Sequence, residues 1–325
     1  MRTITIELDD CITVSACPGC EGRSTRRWSE RESLLPRVEH CVGGVAHFSA
    51  EAFERRQLMV CDDCGLWFHS LIPNTACIQA LNDAPAYVSK LAPSSARGSF
   101  RRGWTTLEAR PSKPSSVLDV GASGGDFLRG CKGMYRAALE PSLHSQESLA
   151  FVDHLLCGVL DGAENPLPTD AFDAISLFDV AEHLASPLKG FRRLSEALKP
   201  NGTLIIETGD TDSPAAREGP LWYYTRYSSH FVFWNRRSLT ALLTRSGFRL
   251  VEFRRVEHES PSRRDRALAL ARWPLYQAVT GFGRRRARWT QLAERLGRSG
   301  AAPLVSYTDH FYAVAEAVRP VSPNA

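Results

Sequence analysis

The sequence predicts an α/β fold, a doubly wound, Rossmann-like sheet of seven strands with a small N-terminal module ahead of it and a helical insertion before the last strand. Three observations predict it. Residues 117–128, Val-Leu-Asp-Val-Gly-Ala-Ser-Gly-Gly-Asp-Phe-Leu, read as a buried strand that runs into a glycine loop and then a helix. Apolar runs and helical stretches alternate downstream of this loop, the pattern of a parallel sheet. Two Cys-x-x-Cys pairs precede it, Cys17-Pro18-Gly19-Cys20 and Cys61-Asp62-Asp63-Cys64.

In chain order, the two cysteine pairs form the first unit, residues 1–75. Each pair can supply two corners of a tetrahedron, so Cys17, Cys20, Cys61 and Cys64 predict a closed, structural four-thiolate site for zinc, with iron as the other metal this sulfur chemistry admits. Residues 41–60, ending in Gln57-Leu58-Met59-Val60, can supply the hairpin of such a ribbon, and His40 and Cys41 are spare ligands. Cys11, Cys77, Cys131 and Cys157 read as small buried hydrophobes. Residues 65–93 read as a connection, and Ser95 to Arg110 as a helix leading to a Pro111–Ser116 breaker, so 76–116 is linker and lead-in helix.

The central domain spans 117–260 and 305–320. After the strand Val117–Val120, strands are expected at 135–139, 155–159, 173–178, 203–208 and 248–255. Helices are expected near 124–131, 142–151, 187–198 and 236–246, and Asn201-Gly202 reads as the turn from helix to buried strand. His310 to Ala317 alternates in the manner of a half-exposed strand. Between Pro261 and Gly300 ten arginines face only Asp265 and Glu294, a basic island in a chain of net charge +4. It suits a solvated helical face, an anionic surface or a nucleic-acid backbone.

The chain has no basic start followed by an apolar run and no stretch of 18 apolar residues, so a soluble, cytoplasmic protein is expected. Nine cysteines in such a chain argue for metal ligation over disulfides.

The glycine loop narrows the ligand. A dinucleotide fingerprint needs glycine at the third and sixth loop positions, where this chain has Ser123 and Asp126, and no Lys-Ser or Lys-Thr follows to grip a triphosphate. Asp119 at the strand end and Glu140 at the end of the next strand instead suit an uncharged ribose that carries a cationic, amino-acid-bearing group. S-adenosylmethionine fits that description. Ser123 is compatible with a tight loop if its φ is negative.

The loop Asp119 to Gly125, Glu140, the block from Phe172 to Leu184 with its Glu182-His183 pair, and Leu198-Lys199-Pro200-Asn201-Gly202 resemble class I S-adenosylmethionine-dependent methyltransferases, closest to the group that includes the ubiquinone-pathway enzymes. The resemblance implies that His310 to Ala317 is the last strand, inserted antiparallel beside the sixth, and that 261–304 is a helical insertion between them. It also implies cofactor contacts from Asp119, Gly121, Ala122, Ser123, Gly125 and Glu140, with Val159 and Leu160 beside the adenine and Asp179 bordering the methyl donor.

His183 and His230 are candidate bases, because an imidazole titrates near working pH. Tyr227 joins them, and Tyr223, Tyr224 and Arg226 complete an aromatic wall in the segment 221–234. This segment is similar to the Tyr-x-Glu-His run of zinc-ribbon sugar C-methyltransferases, but Ser229 replaces the glutamate. A small-molecule or glycan-type acceptor methylated at oxygen is the expected substrate. The alternatives are an RNA acceptor gripped by the zinc module and the arginines, C-methylation of a nucleotide sugar, and a non-catalytic zinc-binding protein.

Overall fold

The computed structural model describes residues 4–28, 46–83, 98–162, 167–214, 216, 222–257 and 308–318. Seven strands form one sheet in the order His154–Cys157, Tyr135–Glu140, Ser116–Val120, Phe172–Phe178, Leu198–Gly209, His310–Ala317, Phe248–Val256. His310–Ala317 runs antiparallel to both of its neighbours. The next four pairings are parallel, so the expected doubly wound sheet with an inserted last strand is the observed one.

Side-chain alternation splits the strands between two cores. Leu118, Val120, Ile175, Leu177, Leu204 and Ile206 face one side, where they meet Leu188, Phe191 and Leu194 of helix Pro187–Ala197 and Leu239, Leu242 and Leu243 of helix Arg236–Arg245. Val117, Ala174, Phe178 and Ile205 face the other, against Leu107 of helix Gly98–Glu108 and Phe127 and Leu128 of helix Asp126–Gly130. Pro187 opens its helix where a missing N–H costs nothing. Asn235 and Ser238 cap the other reciprocally, each side chain accepting from the other's backbone N–H.

The N-terminal residues do not form a separate bead. Thr25–Arg27, Leu58–Cys61 and Trp67–His69 make an antiparallel sheet whose fourth strand, Val232–Phe233, comes from the central domain. Cys17, Cys61, Cys64, Leu66 and Phe68 share one apolar cluster with Phe191 and Trp234. A second cluster joins Ile6, Phe48, Ala52 and Leu71 to Cys77 and Leu81 of helix Thr75–Asn82.

Several expectations are corrected here. Residues 65–83 are not a bare connection: Leu66 and Phe68 are fully buried, and 67–69, 71–73 and 75–82 are strand, strand and helix. Residues 142–151 form no α-helix but a 3-10 turn at Leu143–Ser145 followed by turns, with only Ser145 and Leu149 buried after Ser142. Asn201-Gly202 lies in a bulge inside the long strand, where Phe172 pairs with Leu198 and Ala174 already with Thr203, and Asn201 takes φ +60°. Cys157 is exposed, because its strand is the sheet edge, and Cys11 is half-buried. His40, Cys41 and the basic segment 261–304 lie outside the described residues. Among the described residues no helix is long and apolar enough to cross a membrane.

Candidate functional site

The carboxyl ends of the central strands open into a cavity of about 360 Å³. Asp119, Gly121, Ala122, Ser123, Glu140, Val159, Leu160 and Asp179 all line it, as the sequence suggests. Gly125 does not. It caps helix Asp126–Gly130 with φ +79°, and a Cβ there would meet Leu149 and Phe151 at 2.8 Å, so its glycine answers packing and turn geometry.

The glycine loop is held by hydrogen bonds to the neighbouring strand. Gly121 N–H donates to Leu139 O at 2.7 Å, and Ser123 N–H donates to Glu140 Oε2 at 2.7 Å. Ser123 has φ +49°, against the negative value expected for it. This left-handed backbone costs a non-glycine residue about 1 kcal/mol, and the bond to the Glu140 carboxylate offsets it.

Two buried carboxylates, Asp119 and Glu140, and the half-buried Asp161 line the cavity. Burial pushes Asp119 up to about 7, although Ser176 Oγ donates to it at 2.7 Å. Burial also raises Glu140, against two backbone donors, Ser142 N–H at 3.0 Å and Ser123 N–H. Asp161 is raised by burial and accepts from Ser186 N–H at 2.6 Å. The sequence reading passed over Asp161 because it extended the strand to 159; the strand ends at Cys157, and Asp161 sits in the turn that follows. Ile12, Thr75, Ile78 and Leu81 of the N-terminal module close the cavity from the other side, which no local pattern announces.

Asp179 stands at the end of its strand with φ +56°. The buried ring of His310 lies between Asp309 Oδ1, 2.8 Å from Nδ1, and Asp179 Oδ1, 3.5 Å from Nε2. Burial opposes a charge on this ring, yet the two carboxylates hold it up to about 10, so it is an imidazolium at neutral pH.

One histidine reaches the cavity and a second lies against it. His183, Ser229 and Phe231 line the cavity; His230 and Tyr227 are not among its lining residues. His183 donates Nδ1–H to Ser229 O at 2.8 Å, and His230 donates Nδ1–H to Tyr224 O at 2.9 Å, since a carbonyl can only accept. A neutral imidazole held in this way keeps its lone pair on Nε2. Burial, with His183 beside it, holds His230 neutral well below the usual imidazole range. His183 and Tyr227 both meet the His230 ring edge-on at 4.7 Å. Tyr224 is no substrate wall, because its hydroxyl is buried against Thr208 Oγ1 and Gly209 N–H, both at 2.9 Å. The side chains of Tyr223 and Arg226 lie outside the described residues.

The four cysteines meet. Cys17 and Cys64 Sγ lie 3.6 Å apart, as do Cys20 and Cys61, and all four sulfurs lie within 4.8 Å of one another. Ligands about 2.3 Å from a tetrahedral zinc stand roughly 3.8 Å apart, so the set fits that metal and no disulfide is needed. The two knuckles repeat one geometry. Glu21 N–H donates to Cys17 O and Gly65 N–H to Cys61 O, both at 2.8 Å, and the two donor residues have φ +59° and +79°.

Comparison with known proteins agrees with this architecture. Residues 94–253 match the family model described as a methyltransferase domain. A stretch of 114 residues is 35% identical to the ubiquinone biosynthesis O-methyltransferase of Xanthomonas campestris pv. campestris (strain B100), covering 31% of this chain and 46% of that one. Another of 118 residues is 28% identical to the tRNA U34 carboxymethyltransferase of Desulfotalea psychrophila, covering 33% and 37%. The chain thus spans less than half the length of these curated relatives. The solved complex of the Haloferax volcanii Trm112 methyltransferase activator and a putative methyltransferase shares the fold, with a TM-score of 0.50, 16% identity, and coverage of 74% of this chain and 98% of that one.

Proposed function

We propose, for a chain that carries a class I S-adenosylmethionine-dependent methyltransferase domain beside a four-cysteine module, that the methyl acceptor is a small-molecule or glycan-type metabolite and that the accepting atom is oxygen. The observation that carries this reading is one cavity that Asp119, Glu140, Asp161 and His183 all line. Three carboxylates, two buried and one half-buried, each raised by desolvation, favour a ligand that brings positive charge and hydroxyl donors. S-adenosylmethionine has both, and when bound there it supplies an electrophilic methyl group.

The chain's own residues do the rest. Glu140 and Asp119 hold the ribose side, Gly121 and Ser123 let the backbone come close, and Val159 and Leu160 flank the base. Asp179, fixed by the His310 imidazolium, borders the reacting centre. The acceptor hydroxyl lies against His183, where its proton is drawn off, with His230 and Tyr227 packed behind. Phe231 and the helix Thr75–Asn82 exclude water from the cavity. Ser229 in place of an acid favours oxygen over carbon, whose proton needs a stronger base to remove. The four-cysteine centre binds zinc and is structural, since all its ligands come from the protein.

The test is methyl incorporation from labelled cofactor into a panel of hydroxylated metabolites and sugars, with wild type and His183→Ala compared. Turnover is expected to fall about a hundredfold in the variant with cofactor affinity nearly intact. The similarity to a tRNA-modifying enzyme supports a second reading, an RNA acceptor. Salt-sensitive RNA binding together with methyl incorporation into RNA would replace the small-molecule assignment.

A further inference from the structure

Glu140 ends its strand, and no α-helix takes up the chain directly after it, only the 3-10 turn Leu143–Ser145. Three backbone groups of this connection are held by side chains instead. Ser142 N–H donates to Glu140 Oε1 at 3.0 Å. The other two bonds cross to the N-terminal module: the carbonyl of Pro141, a residue with no N–H, accepts from Gln79 Nε2 at 2.9 Å, and Leu143 N–H donates to Asp83 Oδ1 at 3.1 Å.

Gln79 and Asp83 act as one unit. They stand a turn apart, Gln79 within helix Thr75–Asn82 and Asp83 as its C-cap, and Gln79 Nε2 also donates to Asp83 Oδ2 at 3.0 Å. The amide nitrogen thus serves two acceptors, and each oxygen of Asp83 receives one donor. The helix that carries the pair is fixed to the module. Asn74 caps it by accepting from Cys77 N–H at 2.9 Å, Asn74 N–H donates to Asp10 O at 2.7 Å, and Cys77 and Leu81 pack into the cluster of Ile6, Phe48 and Leu71. A grip on residues 141–143 therefore comes from a rigid support.

We propose that Gln79 and Asp83 are positioning residues for cofactor binding, which hold the turn at 141–143 so that the Glu140 carboxylate stays aimed at the ribose hydroxyls. The inference rests on the reading of Glu140 as the acid that holds the ribose. A carboxylate has about four acceptor positions. Ser123 N–H and Ser142 N–H occupy one on each oxygen of Glu140, and the rest stay available to the ligand. If the turn slips, Ser142 N–H moves with it and the carboxylate loses one of the two donors that set its rotation. Neither Gln79 nor Asp83 is among the residues that line the cavity, whereas Glu140 and Pro141 are, so their effect passes through Glu140. The four-cysteine module in this way takes a part in choosing a ribose that keeps its hydroxyls.

The test is calorimetric titration of the full-length, zinc-loaded protein with S-adenosylhomocysteine and with its 2′-deoxy analogue. Wild type is expected to prefer the hydroxylated ligand about tenfold, the loss of one charge-assisted hydrogen bond. Gln79→Leu and Asp83→Ala should each raise the Kd of S-adenosylhomocysteine about threefold to tenfold and shrink that preference to about threefold or less. Two separate variants keep the test decisive if one of them misfolds. Equal weakening of both ligands, with the preference intact, would reduce the pair to a structural support of the helix and overturn the inference. Unchanged affinities in the folded variants would overturn it too, and if Glu140→Gln still weakened S-adenosylhomocysteine the ribose assignment would stand. A wild-type preference in Glu140→Gln would remove the ribose assignment, and the inference with it.

Discussion

The two walls of the cavity are built in different ways. The wall we assign to the cofactor is the carboxyl edge of one continuous sheet, and Asp119, Glu140, Asp161 and Asp179 lie near the ends of strands paired with their neighbours. The histidine wall is a loop that the central domain alone does not hold. Its exit strand, Val232–Phe233, is hydrogen-bonded to Trp67–His69 of the N-terminal module. His69 adds a backbone donor to Phe231 O at 2.9 Å and an Nε2–H donor to Thr225 O at 3.1 Å, and Arg56 reaches Tyr227 O and His230 O. The strand Trp67–His69 in turn follows directly on the Cys61–Cys64 knuckle. The difference teaches that the four-cysteine centre can bear on His230 without touching it, through the register of Trp67–His69 against Val232–Phe233, the strand that follows His230.

The largest effect should come from removing that centre. Cys61→Ser with Cys64→Ser, or chelation, takes away the energy that folds the knuckles. Turnover is expected to fall more than about a hundredfold, and cofactor affinity, measured by calorimetry, by about tenfold or less. The smaller loss is not zero, because Ile78 and Leu81 also line the cavity. Equal losses in both would mean that the two walls are one unit.

The cofactor wall has a weakness of its own, which pH exposes. Burial raises Asp119 from 3.8 to about 7 in the folded protein. Between those values the native state holds a proton that the unfolded chain has lost, so stability is fully present below pH 4 and declines as pH rises to about 7. Three units correspond to at most about 4 kcal/mol. Asp119→Asn should flatten this part of the stability curve in cofactor-free protein, as read by urea unfolding. Burial raises Glu207 to about 7 as well, despite its bonds to Arg102, so a residual slope is expected in the variant.

Next in size is Glu140→Gln. It keeps the shape but replaces one acceptor oxygen by a donor, against Ser123 N–H or Ser142 N–H. Cofactor affinity should drop about tenfold, with turnover at saturating cofactor little changed. A fall in saturated turnover alone would place Glu140 with the histidine wall.

This contrast also explains what the sequence could announce. Asp119, Glu140 and Asp179 were legible because strand ends in a doubly wound sheet converge, and local periodicity locates strand ends. Asp161 escaped only through an error of two residues at a strand terminus. Ser123 was legible as a residue but not as a left-handed one, since its φ is set by the bond to Glu140 on the next strand. The histidine wall was legible as a list of residues and not as an arrangement. His183 faces the cavity and His230 lies behind it because of pairings between residues more than 150 positions apart, such as Val232 with Phe68. The four cysteines were the exception, since spacing alone marks a knuckle whatever the length of chain between the pairs.

The smallest effect is the most specific to the histidine wall. Arg56 donates to Tyr227 O at 3.5 Å and His230 O at 3.1 Å, and its guanidinium lies 4.6 Å from the centre of the Phe48 ring. It is not among the residues that line the cavity. Arg56→Met preserves most of the apolar stem that packs on Phe48 and removes only the donors, so about 1 kcal/mol of loop ordering is lost. The loop then samples positions in which the imidazoles and the acceptor are misaligned. KM for the acceptor should rise about threefold to tenfold and kcat should fall by a similar factor, while the cofactor's Kd, measured by calorimetry, stays at the wild-type value. A changed Kd would show that a displacement at Tyr227 and His230 reaches the glycine loop through the sheet. Unchanged kcat and KM would show that Val232–Phe233 pairing suffices to hold the histidines, and that the hydrogen bonds from Arg56 are redundant with it.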